Sequence, residues 1–231
     1  MKQNRKTQIA NDWKKAFPQL TEYSPNKLYK ILGSTIVGIE LIKLPGVEAY
    51  RPYFVIYPLW GNKGGNDLKS CLSSPLVLKE FYDTKGLQFS ISYHKHPLKY
   101  KDAVSQILNQ LPFTLEGDVS IKEMFSAFDK YSNDSHLSAA PNSYLQGYLL
   151  QSKLELALCS GTDKQVKDIF DQIKFKNWDE EHFLLWDVNI EQWISDLNDK
   201  ITNKYRLISQ LKTNIQEQRM GKLQVSNLLL G

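Results

Sequence analysis

A chain of 231 residues, 42% of them hydrophobic and 23% charged, is sized for one medium domain or for a compact domain with a helical appendage. At that length roughly 70% of the unfolded surface can be buried, so neither disulfides nor a metal are needed merely to fold, and the stapled-miniprotein class is excluded. The net charge of +4 is unevenly spread: residues 1–110 hold 16 basic against 8 acidic side chains, residues 111–161 hold 3 against 6, and residues 162–231 hold 10 against 11.

In chain order, Ile9, Trp13, Ala16 and Phe17 share one helical face before Pro18. Ser24 followed by Pro25 reads as a second helix start, with Leu28, Ile31 and Leu32 on its apolar side and Gly33 as its stop. From Thr35 the pattern turns to β. Ile36 to Ile42 and Tyr50 to Tyr57 predict a hairpin around Pro45-Gly46, and Pro52 assigns the second run to a sheet edge. Leu87 to Tyr93 alternates apolar and polar residues as a third strand, after a loop at Gly61 to Asp67 and a segment around Leu72 to Phe81 read as helical.

After Pro97 the periodicity is helical nearly to the end. Ser120 with Glu123 and Thr162 with Gln165 are capping boxes, and Tyr144 to Leu158 is apolar on most of its circumference, as in a central helix closed by Gly161. From about Asn189 to Arg219 a long helix is expected. Within it Ile194, Leu197, Ile201, Ile208, Leu211 and Ile215 fit a heptad, broken by Lys204, so an assembly seam (a coiled coil giving a homo-oligomer) competes with a helix folded back on its own domain. The second reading leaves the apolar tail Val225 to Leu230 for a partner. The expected architecture is α+β, a small antiparallel sheet with N-terminal helices followed by a mainly helical C-terminal half. It divides into an α+β domain over 1–176 and a C-terminal helical segment over 177–231.

The longest stretch free of Asp, Glu, Lys and Arg, Ser135 to Ser152, contains Pro141 and several polar residues, so no membrane span is expected. The opening MKQNRKTQIANDWKK has no apolar signal-peptide region, which predicts a cytoplasmic location. Cys71 and Cys159 stand far apart without CxxC spacing, against a disulfide framework or a cysteine zinc site.

Local chemistry is sparse. His94 and His96 would share a face on a strand, but a metal needs a third ligand and nothing nearby proposes one, so neither metal nor cofactor is expected. GNKGG lacks the Gly-Lys-Ser/Thr of a phosphate-binding loop, and Glu40 and Lys43 fall on opposite faces of a strand, unlike a nuclease pair. Asp179, Glu180 and Glu181 suit a helix start or a docking site for a basic partner, and Trp178, Trp186 and Trp193 are expected to pin this region to the domain. What remains is the basic half. Arg51, Lys63, Lys69, Lys95, Lys99 and Lys101 alternate with aromatics including Tyr93 and Tyr100, the mixture by which proteins stack on bases and meet phosphates. The expected function is a non-enzymatic binding or regulatory protein contacting nucleic acid through this surface. The alternatives are a protein-binding inhibitor or immunity-type module, and an enzyme whose site is scattered in sequence.

Overall fold

The computed structural model describes residues 2–60, 74–216 and 220–230. Helix α1 (Lys2–Ala16) places Ile9 and Trp13 one turn apart, and Phe17, just past its end, stacks parallel to the Trp13 ring at 6.0 Å. The next segment corrects the expected second helix. Thr21–Ser24 (β1) and Lys27–Leu32 (β2) form an antiparallel hairpin in which Ser24 faces Lys27. A proline's fixed φ serves a β-turn as well as a first helical turn, and burial on two sides decides between them. Leu28 and Leu32 enter the core in front of the sheet, whereas Tyr29 and Ile31 enter the one behind it, which one helical face cannot do.

The hairpin of β3 (Thr35–Lys43) and β4 (Ala49–Pro58) forms where expected and is the spine of the sheet. Val37, Ile39, Leu41, Tyr50, Phe54 and Ile56 face the front core, and Ile36, Val55 and Tyr57 the rear one. Pro52 is not at an edge. β4 has β3 on one side; on the other it pairs with β5 (Val77–Glu80) through Tyr53–Ile56 and with β6 (Ile91–Ser92) through Ala49–Tyr50. Pro52 falls in the gap between these two, where its missing donor interrupts neither ladder. β5 also replaces the end of the segment read as helical, because Val77 and Leu78 pack on opposite sides of the sheet. The expected strand at 87–93 shrinks to β6 and an isolated bridge between Tyr82 and Gln88.

The helical half runs α2 (His96–Gln110), a short strand β7 (Val119–Ser120), α3 (Ile121–Asp134), α4 (Tyr144–Ser160), α5 (Asp163–Phe175), α6 (Glu180–Leu184), α7 (Ile190–Thr202) and α8 (Lys204–Ile215). Both capping boxes close as predicted, at Ser120 with Glu123 and at Thr162 with Gln165. α4 is buried nearly all round, and its polar residues are paired. Glu155 accepts from Trp60 Nε1 at 2.7 Å and Lys200 Nζ at 2.6 Å, and the Lys153 ammonium meets Asp129 at 2.6 Å.

The expected continuous C-terminal helix is interrupted at Asn203, between α7 and α8. Much of its heptad stripe packs within the molecule. Leu197, with Ile194 and Ile201 beside it, packs in the cluster around α4 and α5, while Leu211 and Ile215 cover the rear of the sheet and Ile208 is half-buried. The tail then returns to its own sheet: β8 (Gln224–Ser226) runs parallel beside β2, and β9 (Leu228–Leu229) beside β7. Among the described residues no helix is long and apolar enough to cross a membrane.

The sheet tolerates little added bulk at its centre. A Cβ on Gly38 of β3 would lie 1.9 Å from the Leu28 carbonyl oxygen, a backbone atom that can yield only if β2 moves. Gly38→Ala is therefore expected to cost more than about 2 kcal/mol in chemical denaturation, well above the effect of an ordinary surface exchange.

Candidate anion-binding face

The basic surface is built on a buried polar chain. Trp13 Nε1 donates to the Tyr50 hydroxyl at 2.9 Å, that hydroxyl lies 2.7 Å from His96 Nδ1, and His96 Nε2 lies 3.2 Å from Asp12 Oδ2. The Asp12 carboxylate accepts the His96 Nε2–H, which leaves Nδ1 to accept the hydrogen bond that the Tyr50 O–H donates. The Tyr100 hydroxyl donates to the Asp12 carbonyl at 2.5 Å. α1, β4 and the start of α2 are thereby tied together at one point. Burial holds the Tyr50 phenol above its ordinary value, and burial also pulls His96 below its usual 6.5, against the opposing effect of Asp12.

This junction sets two small clefts side by side. One, of about 150 Å³, is lined by Arg5, Gln8, Ile9, Tyr93, His94, His96 and Pro97. The other, of about 80 Å³, is lined by Lys6, Ile9, Asn26, Leu41, Lys43, Tyr50 and Tyr93. Ile9 and Tyr93 form the partition. Arg5, Lys6, Lys43 and His94 are exposed around it, with Lys95 exposed on the same turn. Acids lie nearby as well: Asp12 is held by His96, and the Glu48 carboxylate, after burial, raises the Tyr93 phenol.

The expected site residues divide. Lys95, Lys99 and Lys101 are exposed on the turn and first part of α2, close to α1. Arg51 projects from the opposite face of β4, beside Tyr53, with its Nε buried and lacking a partner among the described residues. Lys63 and Lys69 lie outside the described residues. Tyr93 and Tyr100 are half-buried against the front core, Tyr93 tilted on Tyr50 and Tyr100 edge-on to Trp13. His94 and His96 are parted, since one turn of 3-10 helix (Tyr93–Lys95) leaves the first exposed and the second buried. No group of three or more metal-ligating side chains occurs among the described residues. Spacing in the sequence does not bring Arg5 and Lys6 of α1, or Lys43 of β3, beside the 93–97 turn, which they meet only in three dimensions.

Two other polar places lie away from this face. Behind the sheet, Glu40 accepts from Tyr29, from Tyr57 at 2.7 Å and from Lys27 at 3.2 Å, a closed set across three strands, while Lys43 is exposed at the end of β3. Burial, and after it the Glu40 carboxylate, raises both phenols above their ordinary range. A cleft of about 600 Å³ lies between β5, α2 and α3. Its four fully charged residues, Lys79, Glu80, Lys130 and Asp134, cancel, and its Ser135 is spent as a cap, accepting the Leu137 N–H at 3.2 Å. No protein-family model, curated protein or solved structure matches this chain.

The direction of the His96 shift fixes a pH dependence. The folded protein keeps His96 neutral where the unfolded chain takes up a proton, so this contribution is intact above pH about 7 and is lost as pH falls through 6.5. The groups facing it are Asp12, Tyr50 and Tyr100. The denaturation midpoint of the wild type should drop between pH 7.5 and 5.5 more than that of His96→Gln, whose midpoint is lower at pH 7.5; parallel pH profiles would contradict the assignment.

Proposed function

We propose that the chain is a binding protein that engages a polyanion, the phosphate backbone of a nucleic acid, through the face where α1 meets the 93–101 segment. The observation that carries this reading is the convergence of Arg5, Lys6, Lys43 and His94 on two adjoining phosphate-sized clefts, with Lys95 beside them. Cations grouped on one face release counterions on binding phosphate, which gives affinity that falls linearly in log salt. Base readout is not part of the proposal, because the rings of Tyr93 and Tyr100 are engaged in the interior. The contact is then of the sequence-indifferent kind, positioning without specifying.

Fluorescence anisotropy with labelled oligonucleotides tests this. Wild-type protein should bind oligo-dT and oligo-dA alike, with a log–log salt slope that falls by about one unit per phosphate-contacting cation removed. Arg5→Ala/Lys6→Ala/Lys95→Ala should weaken binding and flatten the slope, whereas the exposed α5 pair Lys164→Ala/Lys174→Ala should leave it unchanged. No binding at low salt, or equal loss in both variants, refutes the proposal.

A further inference from the structure

The acidic stretch between Trp178 and Trp186 carries an exposed apolar corner. α6 is capped by Asp179, whose carboxylate accepts the His182 N–H at 3.0 Å, and is anchored by the fully buried Phe183. The next three side chains point the other way: Leu184 is 60% exposed, Leu185 80% and Trp186 52%. Trp186 stacks on Tyr144 at 5.3 Å, and Asp187 closes the corner at φ 56°, in the left-handed region that a non-glycine residue seldom adopts. The corner is therefore held in one shape with its apolar side outward. Its rim is of one sign, since residues 179–191 carry Asp179, Glu180, Glu181, Asp187 and Glu191 and no Lys or Arg.

The complement lies on α2. Leu98 is 83% exposed, with Leu108 also exposed further along the same helix; Lys95 and Lys101 flank Leu98 three residues to either side, Lys99 follows it and Asp102 is its i+4 neighbour, a net basic rim. The corner belongs with the α4–α5–α7 cluster and the stripe with the α1 and β6 side, on different elements. We propose that the chain associates head to tail with a second copy of itself, the acidic Leu184–Trp186 corner of one copy seating on the basic Leu98 stripe of the next. Matching an apolar centre and opposite rims sets both register and partner. A single contact between two unlike patches is heterologous and leaves one patch free on each copy. So few apolar side chains bury less than the roughly 1,200 Å² of a standard interface, so the association is weak and falls with salt.

Lys95 is shared with the proposed phosphate-binding face, but the test contains no nucleic acid and is independent of that proposal. Sedimentation velocity is run at about 50 mM salt across roughly a fiftyfold concentration range. The weight-average mass of wild-type protein should rise above that of the monomer and fall back at about 500 mM salt. Leu184→Ser/Leu185→Ser and Leu98→Ser/Leu108→Ser, each changing exposed positions and each checked for native circular dichroism, should stay monomeric alone. Mixed in equal amounts they should form a one-to-one dimer, because each supplies the patch that the other lacks. A wild type that stays monomeric throughout, self-association of either variant alone, or no complex in the mixture each overturns the proposal.

Discussion

The front of the molecule is organised by one requirement, that a buried donor must find an acceptor. The Trp13 ring is sunk between α1 and the sheet, where its N–H would be stranded without the Tyr50 hydroxyl. That hydroxyl then needs an acceptor for its own proton, which His96 supplies, and His96 in turn fixes Asp12. Four side chains from α1, β4 and α2 are satisfied only as a set. The helix carrying Arg5 and Lys6 is consequently placed against the turn carrying His94 and Lys95, and the charges of the outer surface follow from polar satisfaction inside.

The rear of the sheet is governed by topology. β3 and β4 are buried on both faces, so a single layer of helices cannot finish the fold. The chain solves this with its own C-terminus. α8 lays Leu211 and Ile215 over the rear, the Asn214 amide donates to the Leu59 carbonyl, and Met220 and Leu223 complete the layer before β8 joins β2. Two buried carboxylates, Glu40 behind the sheet and Glu155 on α4, are each surrounded by donors from several elements. In this account they join layers.

What the sequence makes legible is local. A capping box is complete within four residues, so Ser120 with Glu123 and Thr162 with Gln165 could be read directly, as could the β3–β4 hairpin around Pro45-Gly46. Ser24-Pro25 misled because the same dipeptide opens a helix or turns a hairpin, and only the opposed burial of Leu28 and Tyr29 distinguishes them. β5, β6 and β8 are short strands whose pairing partners are distant in the chain, so period and propensity alone do not reveal them. The candidate site was hidden for the same reason. Asp12 and His96 are 84 residues apart, and no spacing rule links Arg5 to His94. Tyr93 and Tyr100 looked like a stacking surface because sequence gives their identity but not that their rings turn inward.

The central claim is that the Asp12–His96–Tyr50–Trp13 chain holds α1 in place and so assembles the basic face. Native-state hydrogen exchange of the α1 amides in wild type and in His96→Leu, which keeps every surface cation, measures this directly. The account predicts that the amides from Ile9 to Ala16 exchange in the wild type only through the slowest, global opening, and that in His96→Leu they exchange by local opening while the β3–β4 amides stay protected. Rapid exchange of α1 in the wild type, or unchanged protection in the variant, would contradict it.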